Sequence, residues 1–269
     1  AGAEVLQALT FYASEDKLAT VGLKGKTDEI NRAAVLIARS VANDKDVLVA
    51  GNLSLTWMYD PKEPKSADHV RKLFDRQLEV QMDVGIDFVI GETFSWVGEA
   101  LLAVESIKKA GLPAMVTMCY EEKPESYEGY SVAECARRLE DAGADIVGIN
   151  CLRNPENTLP LIKEMRQAVK CFVGCQPTAY RTPKGSPDFT SLPEFPLGLD
   201  PLQLSRAEMA HYATEARDLG VNFIGSCCGS IATHVREMAR ALGKLPAEER
   251  AWKSKTGKPM SAYEYYGHE

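Results

Sequence analysis

Gly225-Ser226-Cys227-Cys228-Gly229 sets two thiols side by side, after the apolar run Val221-Asn222-Phe223-Ile224 and before a helical pattern that starts near Ile231. A third thiol, Cys151, closes another strand-like run, Asp145-Ile146-Val147-Gly148-Ile149-Asn150. If both runs are strands of one parallel sheet, their C-terminal ends share an edge and the three sulfurs emerge together. Three thiolates without a fourth protein ligand suit a catalytic zinc ion that keeps one position open to substrate. The spacing is not the CxxC of structural zinc sites, so a vicinal disulfide or plain core packing stays open at this point. Gly225 and Gly229 flank the pair and permit the sharp turn that would bring both sulfurs to one point.

The elements that must position these thiols recur along the chain. Strand-like runs lie in the opening segment 1–12 and at 47–51, 87–91, 114–118, 145–150, 171–175 and 221–224. Helical patterns fill 27–41, from Ser66 or Asp68 to Val84, 96–110, from a Ser131 cap to Ala142, and then 158–169, 205–219 and 231–242. Thr27 reads as the cap of the first of these helices. A helix closed by glycine and followed at once by a buried strand appears at Gly85, Gly143 and Gly220, so one unit is reused. Seven apolar strands, each followed by a helix or a long loop, are one short of a closed eight-stranded barrel. The expectation is therefore a TIM (β/α)8 barrel over 1–245 whose first β/α unit is missing from this sequence, with a polar C-terminal tail over 246–269. An open doubly wound sheet is the alternative. No glycine-rich phosphate loop follows the first strand, so dinucleotide binding has no support.

Composition narrows the class. The chain has 269 residues, a formal net charge of -7 and seven cysteines. No basic stripe points to nucleic acid, and no apolar run reaches membrane-spanning length. An odd number of scattered cysteines reads as reduced thiols of a cytoplasmic protein. Cys119, Cys135, Cys171 and Cys175 read as packing residues, although one of Cys171 and Cys175 could face the site.

In a barrel the chemistry gathers at the C-terminal strand ends, which here carry Thr10, Phe11, Tyr12, Asn52, Glu92, Thr93, Cys119, Asn150, Cys151, Gln176, Cys227 and Cys228. A carboxylate after an apolar run must find a cation or take up a proton. Glu92 thus reads as a clamp on a substrate ammonium, with a salt bridge to a barrel lysine or arginine as the plain alternative. Phe11 and Tyr12 read as an aromatic wall, either a packed rim or a cation-π face for a quaternary ammonium or sulfonium. His69, His211, His234 and His268 lie on helices or in the tail, and none is assigned to a metal.

Thr10-Phe11-Tyr12-Ala13-Ser14-Glu15-Asp16-Lys17-Leu18, Gly148-Ile149-Asn150-Cys151, Leu192-Pro193-Glu194-Phe195-Pro196-Leu197-Gly198-Leu199 and Gly225-Ser226-Cys227-Cys228-Gly229 resemble the homocysteine S-methyltransferase family, and within it the betaine-using enzymes. The resemblance covers nearly the whole chain. It implies a TIM barrel with a catalytic Zn²⁺ held by Cys151, Cys227 and Cys228. It further implies that Glu92 binds the homocysteine amino group, that Phe11 lines the donor pocket, and that Tyr12 contacts the donor or takes the metal's open position. The family's N-terminal Asp-Gly motif is not in this sequence, and Thr93 follows Glu92 where the betaine enzymes carry an aromatic.

The reaction so implied moves a methyl group from an onium donor, betaine or similar, to homocysteine and yields methionine. S-methylmethionine, dimethylsulfoniopropionate or a methyl-corrinoid are alternative donors, and a non-catalytic zinc or thiol redox protein is the alternative of another class. The partners expected are small molecules, not nucleic acid or membrane, with a homo-oligomer left open.

Overall fold

A computed structural model describes residues 1–43 and 46–250. Seven strands form one sheet in the order in which they occur: β1 (Val5–Gln7), β2 (Leu48–Ser54), β3 (Phe88–Phe94), β4 (Ala114–Met118), β5 (Ile146–Asn150), β6 (Phe172–Gln176) and β7 (Phe223–Ile224). Every neighbouring pair is parallel. A doubly wound sheet would reverse its order at a switch point. This order never reverses, so the chain winds one way round and the doubly wound alternative is set aside.

The helices between strands are α1 (Glu15–Thr20), α2 (Thr27–Ala42), α3 (Pro64–Val84), α4 (Val97–Lys109), α5 (Val132–Asp141), α6 (Pro155–Ala168), α7 (Arg206–Asp218), α8 (Ala232–Ala241) and α9 (Ala247–Arg250). Sequence fixes several of their starts. Ser131 accepts from the Glu134 amide, and Ser205 with Glu208 forms a capping box. Other starts differ from expectation. Lys26, not Thr27, precedes α2, because the Thr27 hydroxyl is turned to Glu15. Glu63 caps α3 with Pro64 in its first turn, three residues before Ser66 and five before Asp68. Asn154 caps α6 ahead of Pro155, earlier than the expected Thr158. The segment expected to be a tail from 246 opens with α9, whose Glu249 carbonyl accepts from Arg240 Nε at 2.8 Å. The remainder, 251–269, lies outside the described residues.

Alternation along the strands divides two cores. Leu53, Val89, Val116, Val147, Val173 and Cys175 pack outward against the helices. Ala50, Phe88, Ile90 and Met115 pack inward with Val5, Ile146 and Phe223. That inner cluster joins side chains from six of the seven strands, including both edge strands. The sheet therefore curls around its own interior. At the seam between β1 and β7, Lys244 pairs with Glu4 at 3.0 Å, and a cavity of about 280 Å³ is lined by Val5, Gln7, Gln176, Phe223 and Ser226 among others.

Close packing inside the curl leaves no room for added atoms. A Cβ on Gly148 would lie 2.5 Å from the Gly174 carbonyl oxygen, a backbone atom that cannot swing aside. Gly148→Ala is expected to lower unfolding free energy by about 1–3 kcal/mol in chemical denaturation. An unchanged midpoint would show that the inner layer is looser than described.

Candidate functional site

Each strand that delivers an inward side chain near its C-terminal end delivers a polar one. The period of two carries inward facing from Val5 to Gln7, from Ala50 to Asn52, from Ile90 to Glu92, from Met115 to Thr117 and from Ile146 to Asn150. These five side chains make one network. Glu92 Oε1 accepts from Gln7 Nε2 at 2.7 Å and from Asn52 Nδ2 at 2.8 Å, while Oε2 is 3.4 Å from Asn150 Nδ2. Asn150 Oδ1 accepts from the Thr117 hydroxyl at 2.7 Å and from the Thr93 amide at 2.8 Å. No lysine or arginine pairs with Glu92 among the described residues, so the plain alternative of a barrel salt bridge is not what holds it. Burial raises its carboxyl to about 7, against the lowering pull of Gln7 and Asn52.

Past the end of β5 the backbone turns left-handed at Cys151 (φ 59°) and Leu152 (φ 55°), and the Cys151 amide bonds to the Gln176 carbonyl at 2.9 Å. Past β7 the chain is tied down by three bonds: Gly225 to Cys175, Cys227 to the Pro177 carbonyl, and Ala179 to the Cys228 carbonyl. Gly229 completes that turn at φ 79°, where a Cβ would meet the Tyr180 ring at 2.8 Å. The result brings together three sulfurs from the ends of two strands, β5 and β7. Cys151 Sγ lies 3.4 Å from Cys228 Sγ, Cys227 Sγ lies 4.0 Å from Cys228 Sγ, and all three fall within 4.8 Å of one another.

These separations are too long for a disulfide, whose sulfurs sit at about 2.05 Å. Tetrahedral coordination at about 2.3 Å would put ligand sulfurs roughly 3.8 Å apart. The donor set and its spacing thus fit a zinc ion. Charge agrees with geometry, because hydrogen bonds from Cys151 and Cys227 pull the Cys228 thiol well below the ordinary range, while the neighbouring Cys227 and Cys228 and burial push Cys151 up. A divalent cation among the three thiols is what would let all of them ionise.

Around the sulfurs the structure is apolar. Phe189 and Leu199 pack with Cys151, and Leu192, Leu202 and Tyr180 pack against that group. Leu192 and Leu199, the two ends of the 192–199 motif, therefore form with Phe189 a partial roof over Cys151, while 193–198 stay exposed. Asn150 links the two halves of the site, its Nδ2 reaching Cys227 Sγ at 3.9 Å. Tyr12 stands nearby at φ 59°, its amide bonded to Ser54 and its ring 4.3 Å from that of Phe11. Burial raises the Tyr12 hydroxyl, with Cys119 and Cys151 adding to the effect.

The remaining candidates stand apart. Cys119 is buried against Ser95, and Cys175 packs in the outward core with Cys171 against it. His234 accepts the Ile231 amide at the start of α8, His69 pairs with Asp16, and His211 lies beside Glu215. His268 lies outside the described residues. Sequence reading gave no role to Gln7, Asn52, Thr117 or the roof. Polar side chains at inward positions of apolar strands were the available signal.

Comparison with known proteins identifies the family and the fold. The family description "Homocysteine S-methyltransferase" matches residues 1–242. Betaine--homocysteine S-methyltransferase 1 of Mus musculus is 44% identical over 252 residues, covering 90% of this chain and 61% of that protein. S-methylmethionine--homocysteine S-methyltransferase BHMT2 of Pongo abelii is 40% identical over 248 residues, covering 90% and 66%. The chain thus spans about three fifths of the length of the first of these relatives. Among solved structures, the metallated form of the homocysteine methyltransferase MmuM from Escherichia coli has the same fold, with TM-score 0.68 at 16% identity over 88% of this chain and 79% of that one.

Glu92 makes stability depend on pH with a definite sign. Its carboxyl sits at about 7 when folded and ordinarily at 4.5. Between those values the folded state keeps a proton that the unfolded state has lost. Stability therefore falls as pH rises through this window, by up to about 3 kcal/mol. In metal-free protein, Glu92→Gln is expected to melt higher than the parent at pH 8 and to lose that advantage at pH 5. An equal difference at both pH values would contradict the burial cost.

Proposed function

The chain belongs to the homocysteine S-methyltransferase family, and from that premise we propose that it transfers a methyl group from an onium donor to the sulfur of homocysteine, giving methionine. The observation that carries this reading is the cluster of Cys151, Cys227 and Cys228 within 4.8 Å, beside a buried carboxylate bound only by amides. Cys151, Cys227 and Cys228 would hold a zinc ion, which when bound supplies thiol ionisation at neutral pH and a position open to substrate.

Glu92 receives the homocysteine ammonium. Gln7 and Asn52 occupy one of its oxygens at 2.7 and 2.8 Å, whereas the other has only a long contact with Asn150. That second oxygen is free to pair with a cation, which draws the carboxyl back to its ionised form. The homocysteine thiolate attacks a methyl carbon of the donor. A sulfur–carbon bond forms, the bond from carbon to the onium centre breaks, and its electron pair leaves with the donor as a neutral amine or sulfide. An anion meeting a cation loses charge along this path. The roof of Phe189, Leu192 and Leu199 lowers the polarity on the Cys151 side of the cluster, which favours the less charged transition state. Phe11 and Tyr12 face the donor.

Betaine is the donor favoured by the mouse relative's name, and S-methylmethionine is the second reading from the Pongo abelii relative. Both carry a methyl group on a cationic centre, so the thiol chemistry is common to them. Two structural expectations accompany the proposal. An eighth parallel strand between β7 and β1 would complete the barrel, and Gln176 Oε1 and Ser226 Oγ, buried at the seam cavity without a partner, are polar atoms that such a strand could satisfy. A reducing, cytoplasmic setting would keep all seven cysteines as the free thiols they are here.

The test is a donor panel with homocysteine, read as methionine formed, together with metal content. The parent should hold about one zinc per chain and turn over with betaine or S-methylmethionine. Cys227→Ala and Cys228→Ala should each lose metal and turnover. A variant keeping full activity without metal would remove the reading, as would a parent that forms no methionine from any onium donor. Glu92→Gln should raise the homocysteine KM by about tenfold or more while moving the donor KM little.

A further inference from the structure

Lys17 lies on α1, the six-residue helix that follows Tyr12, and its ammonium rests on aromatic faces. Its Nζ is 4.6 Å from the centre of the Tyr12 ring and 5.2 Å from that of Trp57. Trp57 follows β2 at φ 63°, in a left-handed conformation that a bulky residue rarely adopts, and its Nε1 donates to the Tyr12 hydroxyl at 3.1 Å. The two rings are thus locked to one another. The Tyr12 amide bonds to the hydroxyl of Ser54, which pairs with Glu92 between β2 and β3, so the two rings stand at the same end of the sheet as the site.

Lys17 is half-buried, yet among the described residues its Nζ makes no hydrogen bond and no ion pair. Burial pulls its ammonium below the ordinary lysine value, with the buried carboxylate of Glu99 opposing that shift at longer range. An ammonium with three free N–H donors, held beside the cation-binding faces, has a consequence for any onium compound that enters. A donor that is only a cation meets a like charge there. A donor that also bears a carboxylate meets an anion receptor.

We propose that Lys17 is a donor-selecting residue: its ammonium swings off the ring faces to receive the carboxylate of an onium carboxylate whose cationic head takes its place against Tyr12 and Trp57. The exchange replaces one cation-π contact with another and adds a charge-assisted hydrogen bond, using the flexible four-carbon stem of lysine. The substrate class is therefore zwitterionic, an onium centre a short chain away from a carboxylate. This inference rests on the methyl-transfer reading given above and adds the group that distinguishes among cationic donors.

Glycine betaine and choline share a trimethylammonium head and differ in carrying a carboxylate or a hydroxyl. Their affinities for zinc-loaded, homocysteine-saturated protein can be read in the methionine-forming assay, glycine betaine from its KM and choline from its inhibition of that turnover. The parent should bind glycine betaine about tenfold more tightly than choline, the equivalent of one charge-assisted contact. Lys17→Met should reduce that ratio to about twofold, and Lys17→Arg, which keeps the charge, should retain most of it. Trp57→Leu should weaken both compounds alike and leave the ratio unchanged. An equal ratio in the parent and in Lys17→Met, with methionine still formed, would overturn the role of Lys17 and leave the methyl-transfer reading intact. Trp57→Leu binding both compounds as well as the parent would overturn the ring seat in the same way. Homocysteine binding without either onium compound would instead sink the donor assignment and the selection with it.

Discussion

Three thiols held within 4.8 Å cannot all ionise unless a cation lies among them, and this mutual repulsion is the constraint on which the site depends. The fold creates it. Cys151 stands 77 residues from Cys228, and only the common direction of β5 and β7 brings their sulfurs to 3.4 Å. Left-handed turns at Cys151 and Gly229 then hold the sulfurs off the strand ends, where regular extended backbone would carry them apart. Among the described residues no basic side chain hydrogen-bonds to the trio, so the protein supplies concentrated negative charge and leaves its neutralisation to a ligand.

The same interior keeps a second unfavourable group in place. Glu92 is buried among amides that stabilise its charge without cancelling it. Its position follows from strand alternation below it, since Phe88 and Ile90 fill the inner layer and the next inward residue of β3 faces the open end. Asn150 does the corresponding work on β5 and touches both the glutamate and Cys227. Stability is given up at these positions, which is the usual relation between strained sites and function. Outside the site the packing is ordinary, with aliphatic side chains of the outward face pressed against α3 to α7.

Much of the architecture was legible in the residues alone. All seven strands stand where apolar runs indicated, three of them directly after a helix closed by Gly85, Gly143 or Gly220. The helix α1 was not legible, since six residues with Leu18 as their buried apolar side chain show no helical period. Gln7 was missed for a related reason. β1 is three residues long, and its inward face becomes defined only through pairing with Leu48, Val49 and Ala50. The association of Trp57, Tyr12 and Lys17 could not be read either, because it joins a loop after β2 to a segment 40 residues earlier in the chain. The cysteines were legible as a group because each follows an apolar strand run, with Gly229 closing the pair after β7, which fixes where a thiol can emerge.

Zinc-edge X-ray absorption on purified protein, before and after addition of homocysteine, addresses the central claim most directly. Without substrate the metal should show three sulfur neighbours at about 2.3 Å and one lighter atom. With homocysteine it should show four sulfurs, the fourth being the substrate thiolate. A spectrum with fewer than three sulfur neighbours, or one unchanged by homocysteine at saturating concentration, would contradict the account.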